Sequence, residues 1–131
     1  MTLTEFLLAR IAEDETVARA GKGDTAWSCD PSRANPIFAQ VVSGDGAVAS
    51  AMLTTDGEHI ARHDPARVLA ECEAKRRIVS VRAAIGMRHG GTMDEVDAAH
   101  AAVQKQREWT WRLLALPYAG HPDYLAEWAT S

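Results

Sequence analysis

Asp64 followed by Pro65 is the feature that most constrains this chain. An aspartate oxygen can accept the orphan N–H groups of Ala66 or Arg67, and proline's missing N–H costs nothing at a first helical position. A helix therefore starts here, and Val68, Leu69, Cys72 and Val79 give it an apolar stripe with charges between. His59 and His63 stand four apart just upstream, so they share a face if that short segment is also helical. Two imidazoles are thus expected where a long helix begins. The spacing predicts that helix from Pro65 to about Ile85, with Gly86 and Gly90-Gly91 stopping it.

The remaining elements are read outward from this joint. Thr2 and Glu5 have capping-box spacing ahead of Leu3, Phe6, Leu7, Ile11 and Val17, which predicts a helix over 3–20 ending at Gly21 and Gly23. Residues 21–36 carry glycine, proline, serine and asparagine and read as loop, with Trp27 as an apolar anchor. Two β-prone runs, 37–42 and 47–53, flank Ser43-Gly44-Asp45-Gly46 and predict a hairpin. A lone hairpin is marginal in water, so it must pack on a helix, take Trp27's segment as a third strand, or pair with another chain. Thr54-Thr55-Asp56-Gly57 reads as a turn. Thr92 and Glu95 open a second long helix from Met93 to about Leu116, with Val96, Ala99, Val103, Gln106, Thr110 and Leu113 near one seam. Pro117 ends it, and a short final helix is expected from Pro122, with Asp123 at its N-terminus.

The fold class this predicts is α+β in one domain of 131 residues: a β-hairpin, with a third strand as an option, packed against an antiparallel pair of long helices, with short N- and C-terminal helices. Hydrophobic residues make up 47% of the chain and charged ones 24%, enough for a core. A net charge of −4 argues against bulk nucleic-acid binding and leaves only the basic stretch Lys75–Arg77 as a local route. Cys29 and Cys72 match no zinc spacing and read as reduced thiols of a cytoplasmic protein. Glu5 stands where a signal peptide needs positive charge, and no apolar run is long enough for a membrane span.

Two stretches carry a resemblance. Glu58-His-Ile-Ala-Arg-His-Asp-Pro-Ala-Arg-Val-Leu69 with Glu73-Ala-Lys-Arg-Arg-Ile-Val79, and Leu114-Ala-Leu-Pro-Tyr-Ala-Gly-His-Pro-Asp-Tyr124 with a closing Trp128, resemble a small actinobacterial and actinophage family of unknown function, domain-of-unknown-function family 6221. Glu5-Phe6-Leu7 and a tryptophan before the hairpin are similar to its layout. The resemblance implies an accessory protein of bacterial or phage origin in the cytoplasm, and it supplies no catalytic residue.

Two functions are weighed. The leading one is a non-catalytic binding or regulatory protein that uses the hairpin edge or the basic helix surface for a protein partner or for self-association. Arg67, Lys75, Arg76, Trp111, Tyr118 and Tyr124 are its binding candidates, and no cofactor, metal or membrane is called for. The alternative is a small metal-dependent or hydrolase-like enzyme using His59, His63, His121 and Asp123. Metal ligation needs three or four such groups converging, and Ile60 stands where a zincin motif has glutamate. Imidazoles beside Asp-Pro and Pro-Asp equally suit hydrogen bonding at helix ends.

Overall fold

A computed structural model describes residues 1–21, 25–81 and 92–130. It is α+β. In chain order the elements are α1 (Leu3–Ala20), β1 (Ser28–Pro31), β2 (Phe38–Ser43), β3 (Gly46–Leu53), α2 (Thr54–Arg62), α3 (Pro65–Ser80) and α4 (Met93–Ala115), then two 3-10 turns, Leu116–Tyr118 and Ala126–Trp128. The expected stops at Gly23 and Gly86 to Gly91, and the last residues of the helix expected to reach Ile85, lie outside the described residues. No helix among the described residues is long and apolar enough to cross a membrane. The structure divides into two compact units, residues 11–74 and residues 1–10 with 75–131.

The first unit contains the sheet. Trp27's segment supplies the third strand, giving the antiparallel order β1-β2-β3. β3 is longer than β2, and the register slips between Ala39 and Val41 and again between Val41 and Val42, so β3 is bulged twice against its partner. Ala51, in one of these bulges, has a φ of 59°, a left-handed conformation costly for a residue with a Cβ. Residues 54–57 are not the expected turn. They are the first turn of α2, the helix that lies on the sheet. Thr54 fastens that helix down, its N–H donating to the Ile37 carbonyl at 2.8 Å and its hydroxyl to the Pro36 carbonyl at 2.6 Å. Gly57 permits the contact. A Cβ there would stand 3.0 Å from Cys29 Sγ and 3.3 Å from Met52 Sδ. Glycine therefore serves close approach here, not chain reversal.

Asp64 joins α3 to the sheet's lead-in. Its Oδ1 accepts the Arg67 N–H at 2.8 Å, and its Oδ2 accepts the Trp27 N–H at 3.1 Å. The Ala66 N–H, the other expected donor to Asp64, goes instead to the Thr25 carbonyl at 3.0 Å. Pro65 is buried, and a Cβ on Gly21 would meet its ring at 3.2 Å.

The second unit is built around Phe6, which is wholly buried. Tyr118, His121 and Tyr124 stand edge-on to its ring with centroids 6.4, 5.8 and 5.9 Å away, and Trp128 leans on it at 5.1 Å. Edge-to-face pairs of this kind add to the burial of apolar area. Both capping boxes form. Thr2 and Glu5 exchange bonds of 2.7 and 3.2 Å, and Thr92 and Glu95 exchange bonds of 2.8 and 3.3 Å. The Thr2 N–H and hydroxyl hold the Glu5 carboxyl below its usual range. The short helix expected from Pro122 does not form there. The Asp123 N–H is taken by His121 Nδ1 at 3.1 Å, Leu125 is extended, and the 3-10 turn that follows covers Ala126–Trp128. Asp123 therefore sits in a turn and not at a helix N-terminus.

Candidate functional site

The four residues of the catalytic alternative are each engaged locally. Just past α2, His63 Nδ1 lies 2.9 Å from the His59 carbonyl oxygen, so it carries the proton and donates back into that helix. The two rings lean on each other with centroids 4.5 Å apart. His121 accepts from the Asp123 backbone, stands 3.9 Å from its carboxylate and packs against Phe6. His59 and His63 belong to one compact unit, and His121 and Asp123 to the other. Among the described residues no three His, Cys, Asp or Glu side chains gather as a metal site.

The basic candidates are also occupied. Arg67 Nε bonds Glu71 at 2.8 Å, an exposed i, i+4 pair, and its guanidinium reaches the Arg62 carbonyl at 3.5 Å. Lys75 Nζ lies 5.9 Å from the Tyr118 ring centroid. Arg76 is half-buried. Tyr118 and Tyr124 are packed on Phe6, although the Tyr124 hydroxyl is buried without a hydrogen-bond partner.

Trp111 is different. It lines an apolar groove of about 520 Å³ with Ile78 from the last turn of α3, Val81 just beyond it, and Ala102, Val103, Gln106, Arg107 and Thr110 from α4. The α4 residues fall at 102, 103, 106, 107, 110 and 111, the spacing of a single helix face. Ile78, Val81 and Val103 are 43, 60 and 38% exposed, a large share for aliphatic side chains so close together. The seam expected along α4 thus stays open at Val103.

Arg107 is the charged member of the groove's described lining, and the sequence reading missed it. Its guanidinium carbon lies 4.5 Å from the Trp111 ring centroid, a close cation–π contact one turn along α4. Its Nε is buried and has no hydrogen-bond partner, and no carboxylate among the described residues pairs with it. Nearby Arg112 shows the contrast, bound to Glu108 at 2.7 Å and to the Glu127 carbonyl at 2.8 Å. The signal in the sequence was the series Val103, Arg107, Trp111, each four apart.

The sheet offers poorer docking edges. β1 has four residues and ends in proline, and β3 is bent by its bulges and by Ala51. Short, proline-ended and bulged edges discourage strand addition.

No curated protein and no solved structure matches the chain. A family model does match, over residues 1–130, and its description is Family of unknown function (DUF6221). With that match running through the aromatic cluster, the sheet and the groove alike, the chain belongs to this family.

Proposed function

We propose that this protein is a non-catalytic binding protein, acting as a regulatory or accessory component, and that it holds a helical segment of a protein partner in the groove between α3 and α4. The observation that carries the reading is the open apolar face Ile78, Val81, Val103 and Trp111 with an unpaired arginine lying across its tryptophan. Tryptophan and arginine are the residues in which binding energy concentrates at protein interfaces. A groove walled by two helices suits an amphipathic helix. The local engagement of His59, His63, His121 and Asp123 supports binding over catalysis. The bacterial or phage setting in the cytoplasm rests on the sequence resemblance.

The test is site-specific photo-crosslinking from Val103 and from Val17, an exposed α1 residue serving as control. A discrete adduct from Val103 and none from Val17 is expected. The purified partner should then bind the wild-type protein and lose at least tenfold in affinity for Val103→Asp. Adducts formed equally from both positions, or binding indifferent to Val103→Asp, would overturn the proposal.

A further inference from the structure

We infer that the partner helix carries a carboxylate beside its apolar stripe, and that Arg107 is the residue that selects it. The inference rests on the groove being the binding surface. The segment of α4 from Ala102 to Trp111 is about 15 Å long at 1.5 Å per residue, room for roughly three turns of a helix laid along it. Arg107 stands in the middle of that length, one turn from Val103 and one from Trp111.

A seated apolar helix would remove water from a guanidinium whose Nε is already buried without an acceptor. Covering a charge without pairing it is strongly unfavourable. A purely apolar or basic helix is therefore disfavoured at this position. A glutamate or aspartate on the partner changes the sign, because a guanidinium offers a planar fork that takes both carboxylate oxygens. Trp111 holds that fork in place by stacking, so little ordering remains to be done on binding. Gln106 and Thr110 do not replace it, for Thr110 already donates its hydroxyl to the Gln106 backbone carbonyl at 2.9 Å, and the Gln106 carboxamide carries no charge to answer a carboxylate. The occupant that fits is an acidic amphipathic helix of another protein.

Three synthetic amphipathic peptides of roughly 18 residues, about five turns, provide the probe. They share one apolar stripe and differ only in having Glu, Gln or Lys beside it. Binding is read by calorimetry on the full chain and on Arg107→Gln, Arg107→Lys and Val103→Asp, each first shown to melt like the parent. The Glu peptide should bind wild type about tenfold tighter than the Gln peptide, the scale of one charge-assisted hydrogen bond. Arg107→Gln should bring that ratio close to one without weakening the Gln peptide. Arg107→Lys should keep only part of it, having lost the fork. Val103→Asp should weaken all three peptides.

If the Glu and Gln peptides bind equally well and both are lost in Val103→Asp, the acidic partner is refuted while the groove stands. A Glu-to-Gln ratio unchanged in Arg107→Gln also refutes it. If no peptide binds, or if Val103→Asp instead dissociates a dimer in sedimentation, the inference and the foreign-partner reading fall together.

Discussion

Asp64→Ala should destabilise the protein by more than the loss of a helix cap alone. The carboxylate accepts two backbone N–H groups, and each loss can be weighed separately. Losing the Arg67 bond removes the N-cap of α3, which costs about 1 kcal/mol. The Trp27 N–H is part-buried, and leaving such a donor unsatisfied costs about 1–3 kcal/mol. The expected total is about 3 kcal/mol. With an unfolding entropy of about 2 cal/mol/K per residue over 131 residues, that lowers Tm by roughly 10 °C. Asp64→Ser separates the two parts: its hydroxyl still caps α3 but cannot also reach Trp27, so it should fall about 1 kcal/mol short of the alanine loss. Urea unfolding of both variants, followed by tryptophan fluorescence and by far-UV circular dichroism, measures the differences. Coincident transitions from the two probes would license the two-state analysis. An alanine variant within about 0.5 kcal/mol of wild type, the scatter of ordinary surface changes, would refute the argument. A serine variant equal to wild type would refute the Trp27 part alone.

Three other outcomes follow from the same geometry. Gly57→Ala should lower stability by about 1 kcal/mol, because overpacking against Cys29 and Met52 outweighs a helix-propensity gain of about 1 kcal/mol; a raised urea midpoint would show that the contact gives way. Phe6→Ala should cost about 3–5 kcal/mol and flatten the near-UV dichroism of the aromatic cluster, so near-UV bands that survive unchanged would count against Phe6 as its centre. Burial first, and then the Glu58 and Asp30 carboxylates, push the Cys29 thiol above its usual range; iodoacetamide should therefore alkylate it more slowly than a free thiol at pH 8, and Glu58→Gln should speed the reaction. In the same group the folded state keeps its proton longer than the unfolded one, so this contribution to stability declines as pH rises through the ordinary thiol range. Labelling at the rate of a free thiol would contradict both statements.

The sequence was legible where one residue does one job. Thr2 with Glu5 and Thr92 with Glu95 start their helices as their spacing implies, and α1 and α4 follow almost to the residue. It was misleading where a residue type has two uses. Asp56-Gly57 reads as a turn, yet Gly57 is there to let α2 approach the sheet, and Leu53 ahead of it offers no side-chain cap to announce the helix. Pro122-Asp123 reads as a helix start, but the Asp123 N–H is already committed to His121. The groove was hidden for a third reason. An apolar stripe shows that a face wants covering, and only the exposure of Ile78, Val81 and Val103 in the structure shows that this one is still open.

That difference separates the framework of this protein from its candidate function. The stretches that carry the resemblance hold the joints: Asp64 and Pro65 tie α3 to Trp27 and Gly21, and Tyr118, His121, Tyr124 and Trp128 enclose Phe6. Histidines and tyrosines that look chemically promising in a motif are employed there as ring contacts and backbone hydrogen-bond partners. Of the groove's lining only Ile78 falls within those stretches. The rest come from the middle of α4 and from Val81, where the series Val103, Arg107, Trp111 builds a surface without contributing to a joint. A long motif can therefore mark what holds the chain together while the partner is met elsewhere. On this chain the residue that bears most on the choice of partner is Arg107, a half-buried arginine whose Nε has no hydrogen-bond partner and which no described carboxylate answers.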